Sequence, residues 1–303
     1  MNPLSVESEN LIEFTLLGFT SRRDLQLLLF IFFLPIYLLG LLGSLCLALL
    51  IWVEQPLHTP MYYFLSHLAL MDLCSCLLRG HDTIPIPACA LQMFFFAAAS
   101  DAECCLLAAM AYDCYVAICH PLHYGAAMPR RLCQVLVAMS YTTGTASGAI
   151  HTSMAFRLPF CSTYMLDHFF CDIPPVLALS CTSTELNQLL LLAVCGAIQS
   201  ITLAAIVASY GMILCTVGHI GSQRALSTCG FHLTAVGVLY DTLIFMYLRP
   251  NGTFASQTDK MASVFYTVII PVLNPTIYSL RNVEVKRLVR WRFSEQRHPT
   301  CCF

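Results

Sequence analysis

Long stretches without a formal charge constrain this chain more than any other feature. Residues 25–53 contain no Asp, Glu, Lys or Arg. An ionised side chain at the centre of a bilayer costs roughly 2.5–3.5 kcal/mol on insertion scales, and about 20 apolar residues suffice to cross. The run therefore reads as a membrane span. Similar apolar runs at 60–78, 90–119, 132–155, 190–217, 225–248 and 260–280 bring the number of spans to seven. Lipid offers no hydrogen-bond partner to a backbone amide, so only helices or closed barrels cross it. The runs lack the period-2 alternation of a barrel strand. The expected fold is an all-α membrane protein, a seven-transmembrane helical bundle. Pro35 and Pro271 fall inside spans, where neighbouring helices can satisfy the freed carbonyls.

Composition excludes other classes. Hydrophobic residues make up 58% and charged residues 11%, too lopsided for a water-soluble domain of this length. A net charge of −2 argues against a nucleic-acid partner. Seventeen cysteines suggest a disulfide scaffold, yet Cys46, Cys104, Cys105, Cys119, Cys195, Cys215 and Cys229 lie in apolar runs, where a thiol behaves as a small hydrophobe. The first 24 residues carry Glu7, Glu9, Glu13 and Asp24. They lack the basic start and apolar centre of a cleavable signal, so the first span is expected to serve as an uncleaved anchor.

An odd number of spans puts the ends of the chain on opposite sides. One side collects Arg130, Arg131, Arg224, Arg281, Lys286, Arg287, Arg290, Arg292 and Arg297, nine in all, and the other Arg22, Arg23, Arg79, Arg157, Arg249 and Lys260, six in all. Basic residues favour the cytoplasmic face. This predicts an extracellular N-terminus at 1–24, a bundle at 25–281 and a cytoplasmic tail at 282–303. Val283 to Phe293 mixes apolar and basic residues and reads as a short amphipathic helix on the inner leaflet.

Five local patterns occur on these spans in order. They are Pro60-Met-Tyr-Tyr-Phe-Leu-Ser-His-Leu-Ala-Leu-Met-Asp72, then Met110-Ala-Tyr-Asp-Cys-Tyr-Val-Ala-Ile-Cys-His-Pro-Leu-His-Tyr124, then Ser209-Tyr210-Gly-Met-Ile, Ala225-Leu-Ser-Thr-Cys-Gly-Phe-His-Leu-Thr234 and Asn274-Pro275-Thr-Ile-Tyr278. A single Asn-Pro-x-x-Tyr is a weak pattern, but the ordered set is specific. It resembles the odorant (olfactory) receptors, a branch of the rhodopsin-like, class A G-protein-coupled receptors. The segment Leu166-Asp-His-Phe-Phe-Cys-Asp-Ile-Pro-Pro175, with Leu179-Ser-Cys-Thr182 after it, resembles that family's second outer loop.

The resemblance implies a plasma-membrane receptor that binds a small, volatile odorant from outside. It also implies coupling to a stimulatory heterotrimeric G protein that raises cyclic AMP. Four cysteines facing an oxidising exterior allow three connectivities; the family implies the pairs Cys89–Cys171 and Cys161–Cys181. Asp113, Cys114, Tyr115, Tyr210, Asn274, Pro275 and Tyr278 occupy the activation-switch positions. Asp72 and Glu103 are intramembrane acids, expensive and functional by default. The resemblance sets them face to face, where a sodium ion or water could bridge them, since two adjacent carboxylates do not both ionise cheaply. No other cofactor is implied.

The ligand cavity has no motif of its own. Alignment through the matched motifs gives Phe96, Ala97, Ser100 and Asp101, then Val194 and Ile198, then Tyr240, Leu243, Ile244 and Tyr247, and Val264. Apolar walls with a few polar points suit a small molecule, and a buried acid such as Asp101 would welcome an amine. Asn251-Gly-Thr253 is a glycan acceptor pattern in the third outer loop.

The chain also departs from the family. Cys114 stands where the family has arginine, and a neutral thiol makes no bidentate charged contact. Ser44 replaces an asparagine, and Asp241 replaces the glycine that follows Tyr240. The stretch from Asp72 to Cys89 is short, and the inner loop 218–224 keeps only Arg224 of its basic cluster. These features raise a second reading, a receptor fold with impaired or absent signalling. No metal-ligand cluster, nucleophile constellation or internal repeat points to an enzyme or transporter.

Overall fold

In the computed structural model the described residues are 13–18, 23–53, 59–77, 83–160, 165–220, 223–247, 260 and 263–264. Long helices follow the apolar runs within a few residues. They are α1 (Arg23–Val53), α2 (Pro60–Leu77), α3 (Ile86–Cys119), α5 (Arg130–Ala155), α7 (Glu185–Ile220) and α8 (Gln223–Tyr247). Two short helices, α4 (Tyr124–Ala127) and α6 (Ile173–Leu177), sit in the connections. Prolines punctuate α3: Pro85 caps its start, with a further proline in the first turn. His120 ends it immediately before Pro121.

Among the described residues, three helices are long and apolar enough to cross a membrane: Ile31–Val53 of α1, Ile86–Cys119 of α3 and Glu185–Gly218 of α7. His232–Tyr247 of α8 is a shorter apolar helix. The runs 60–78 and 132–155 also fold as helices, but α2 and α5 dilute their apolar content with hydroxyls and a histidine. Those hydroxyls need no water. Ser140 donates to the Leu136 carbonyl at 2.8 Å and Thr142 to that of Ala138 at 2.8 Å, the back-bonding that lets polar groups sit in a lipid-facing helix. Of the seventh predicted span, only Lys260, Ser263 and Val264 are described. The segment 283–293 lies outside the described residues.

Helix α3 is the hub. In its most apolar stretch 72% of residues are buried, against 24% for α1 and 28% for α7. The outer faces of α1 and α7 instead expose Leu27, Leu28, Phe32, Leu39, Ile201 and Val207. An apolar belt of this extent marks a lipid- or partner-facing surface. Against α3, helix α5 lies closest. A Cβ on Gly148 would come 2.8 Å from the Phe94 carbonyl oxygen, and one on Gly144 would strike that of Ala98. Small residues permit this approach, as in membrane helix pairs generally. Gly144→Leu is therefore expected to separate the two helices and to cost at least about 1–3 kcal/mol through overpacking. Surface display by flow cytometry should fall below that of Gly211→Ala, whose new methyl meets open space.

One part of the fold was not expected. A three-stranded sheet covers the end of the helices at which α3 begins, in the order β2-β1-β3. Its strands are β1 (Glu13–Leu16), β2 (Thr83–Pro85) and β3 (Met165–Leu166). Strand β1 pairs antiparallel with β2, Phe14 opposite Ile84, and parallel with β3, Leu16 opposite Leu166. Phe14 and Leu16 point inward while Glu13 and Thr15 point out, the alternation of a half-buried strand. The all-α expectation is corrected to this extent, since part of the N-terminal segment is a strand. Gly18, at a φ of 64°, turns the chain just after it.

Candidate functional site

At the end that carries the sheet, the loop before α6 is held down from several sides. Cys89, in the first turn of α3, is bonded to Cys171, with Cα atoms 5.4 Å apart. The Cys171 amide also donates to Gln92 Oε1 at 2.8 Å. Asp172 caps α6 by accepting from the Ile173 amide at 2.7 Å, and it accepts from the Tyr247 hydroxyl at 3.0 Å. His168 Nε2 lies 3.0 Å from Ser263 Oγ. Lys260 donates to Asp167 at 2.5 Å and to the Gly18 carbonyl at 3.1 Å. Thus α3, α8, the region of Lys260 and the N-terminal strand all fasten one loop. Cys181 is disulfide-bonded as well; Cys161 lies outside the described residues.

Beneath that loop, Phe170 lays its ring on Phe96 of α3, centroids 4.7 Å apart. Phe96, Ala97, Ser100, Tyr240, Leu243 and Val264 are buried, and Val194, Ile198 and Tyr247 are half-buried. Tyr240 donates to Thr202 Oγ1 at 2.6 Å, and Ser100 donates to the Phe96 carbonyl at 2.9 Å. Two expected wall residues sit elsewhere. Ile244 is 42% exposed and faces out of the bundle, because one step past Leu243 on a helix rotates the side chain by about 100°. Asp101 is engaged at the junction of α3, α5 and α7, where Cys195 Sγ approaches its Oδ2 at 3.7 Å and lies 3.4 Å from His151 Nε2. Asp241 is exposed.

Two loop groups titrate away from their ordinary values. Burial holds the Asp172 carboxyl up, at about 6 against 3.8. Burial, helped by the positive charge of Lys260, holds His168 down, at about 4 against 6.5. The signs oppose. A docked loop that retains the Asp172 proton loses stability as pH rises from 3.8 to 6, whereas one that keeps His168 neutral loses stability as pH falls from 6.5 to 4. Between pH 4 and 6 the two slopes cancel, so loop docking in the native chain is expected to be nearly flat there. Asp172→Asn should leave only the histidine arm, with amide protection factors across 165–172, corrected for the intrinsic pH dependence of exchange, falling on acidification from pH 6.5 to 4. A steep native profile, or a flat one in the variant, contradicts this.

The opposite end of α3 carries the second cluster. Tyr124, at the start of α4, donates to Asp113 Oδ1 at 2.8 Å. Its phenol is pushed up, first by burial and then by the Asp113 carboxylate, so it stays a donor. Cys114 is half-buried beside it. Tyr115 reaches His120 Nε2 at 3.0 Å, and Tyr210 of α7 reaches His232 Nδ1 of α8 at 2.6 Å. Asn251, Asn274, Pro275 and Tyr278 lie outside the described residues. Asp72 lies on α2, but its side chain is not among those described. Glu103 is buried in α3.

Sequence reasoning missed several of these contacts. Gln92 and His151 had a signal, being polar side chains within otherwise apolar runs, which need a buried partner. Nothing local marked Tyr124, Lys260 or Phe14, whose partners are fixed only by the tertiary fold.

Comparison with known proteins agrees with both ends of the molecule. A sequence profile described as Olfactory receptor matches residues 33–296. Human Olfactory receptor 5C1 is 54% identical over 301 residues, covering 95% of this chain and 94% of that protein. Mouse Olfactory receptor 5AR1 is 46% identical over 288 residues, covering 90% and 93%. These relatives are receptors rather than enzymes. With a likeness that runs through the pinned loop before α6, the α3 hub and the Asp113 cluster alike, the chain belongs to the olfactory receptor family.

Proposed function

We propose that the chain is a seven-span plasma-membrane receptor, its N-terminus outside and its C-terminus in the cytosol. It binds a small odorant beneath the loop that carries Phe170. The ligand favours one of two bundle arrangements, and the favoured one admits a stimulatory heterotrimeric G protein at the inner mouth. The observation that carries this reading is the Phe170–Phe96 contact, an aromatic lid over apolar walls locked down by the Cys89–Cys171 bond. With Asp101 engaged by Cys195, those walls suit a neutral, weakly polar ligand better than an amine. An odorant panel that includes amines tests this. Phe96→Ala is expected to lower the potency of an active neutral odorant by about tenfold, the loss of about 1.4 kcal/mol of aromatic contact. A panel activated by amines alone would overturn the ligand class.

A second reading, a receptor fold with impaired signalling, is favoured by Cys114. Asp113 is satisfied by Tyr124 without the arginine that the family carries. A sodium ion between Asp72 and Glu103 belongs to the same proposal. The burial of the Glu103 carboxylate supports it, and a sodium sensitivity unchanged in Glu103→Gln would remove it.

A further inference from the structure

At the end of the bundle that holds the Asp113 cluster, a cleft of about 260 Å³ opens between α1, α2 and α5. Its floor is apolar, with Ile51 6% and Cys133 3% exposed. Tyr63 forms one wall and is braced edge-on by His67, centroids 4.8 Å apart. His67 is in turn bonded to Tyr141 of α5 at 3.2 Å, so the wall is preformed. The rim is polar. Arg130 and Gln134, on the first turns of α5, line it and are exposed, and Arg131 stands next to them. Neither arginine makes an ion pair with a described residue. The start of α2 at Pro60 and the start of α5 at Arg130 both meet the cleft, and α5 begins without a side-chain cap. Their dipoles add positive potential at the same rim.

We infer that this cleft binds an anionic phospholipid of the surrounding leaflet, with the phosphate at Arg130 and the start of an acyl chain along Ile51 and Tyr63. An apolar floor under a cationic rim fits an amphiphile with a negative head. The position fits one too, because the rim lies at the end of α1 and at the starts of α2 and α5, where the expected spans would meet a headgroup layer. Helix α1 carries the contact outward, with Trp52 79% and Val53 57% exposed beside Ile51, side chains that would meet the same leaflet. The volume admits the head and the first part of a chain, leaving the rest in the membrane. Glu54, in the connection that follows α1, is the nearest acid along the chain.

The inference rests only on the chain spanning a bilayer. In a symmetric bilayer it is read independently of which end faces the cytosol and of whether the receptor signals. The test is lipid retention by the full-length chain, purified from nanodiscs holding equal phosphatidylserine, phosphatidylcholine and cholesterol, measured by native mass spectrometry. Phosphatidylserine is expected to be retained over phosphatidylcholine by about fivefold, the contribution of one arginine near an anionic surface. That preference should vanish in Arg130→Gln and in Gln134→Glu, which adds a repelling carboxylate at an exposed site. It should persist in Arg157→Gln, which removes a charge from the opposite end of α5. Equal retention of the two phospholipids, a preference surviving both rim variants, cholesterol in place of phosphatidylserine, or displacement by millimolar inorganic phosphate would each overturn the assignment. Monodisperse elution with the Cys89–Cys171 bond intact verifies that each variant is folded.

Discussion

Cys114→Arg is expected to raise odorant-driven cyclic AMP output by about tenfold or more at matched surface density, within the range typical of coupling between sites. The site is prepared for it. Asp113 Oδ1 already accepts from Tyr124, which leaves the second carboxylate oxygen for a guanidinium one residue along the helix. Arginine brings five donors and a permanent charge, whereas the thiol at 114 brings one weak donor and none. Lysine at 114 should recover less, because its ammonium is a strongly hydrated point charge on a flexible stem, without the rigid planar fork of donors. Alanine should change little, because the thiol contributes no charge. If Cys114→Arg reaches the surface and still gives the native response, the inner switch is not what limits signalling. If it stays inside the cell, the fault lies in folding, and the short stretch between Asp72 and Cys89 becomes the suspect.

Cys89→Ser is expected to have the other large effect, a loss of more than about tenfold in odorant potency together with reduced surface display at 37 °C. The bond closes a loop across 82 residues, and removal of a native disulfide typically costs about 2–5 kcal/mol. More than the bond is at stake. Phe170 lies next to Cys171, and Asp172 on its other side ties the loop to α8 through Tyr247. Releasing Cys171 therefore frees the lid ring and the α6 cap together. Cys171→Ser and the double variant should match Cys89→Ser, since all three remove one bond. Gln92→Ala should cost less, about 0.5–1.5 kcal/mol, as expected of a single hydrogen bond. Additive losses in the double cysteine variant would show that the two residues act separately.

The long helices were legible in the sequence for a simple reason: the cost of burying charge in lipid acts residue by residue and leaves apolar runs with few or no charges. Helix ends were legible to a few residues, because the apolar runs stop close to where the helices do. The sheet was not. Strand β1 is four residues long, too short for alternation to stand out, and its pairing with residues 83–85 and 165–166 depends on where the bundle sets those loops. The candidate cavity was half legible. Motif alignment carried Phe96, Leu243 and Tyr240 to buried positions, but it could not foresee that Cys195, itself beside His151, would engage Asp101. Ile244 lies exposed while Leu243 is buried, since neighbours on a helix face different directions. The Tyr124 contact with Asp113 was invisible because a turn after Pro121 folds the chain back toward α3, and no periodicity records that turn.

The most direct test of a seven-span receptor that takes its ligand from outside is epitope accessibility in whole cells. A tag fused ahead of Met1 should bind antibody on intact cells, and a tag after Phe303 only once the membrane is permeabilised. Both tags reacting on intact cells, or neither reacting until permeabilisation although the chain is at the surface, would mean an even number of crossings and would contradict the proposed receptor.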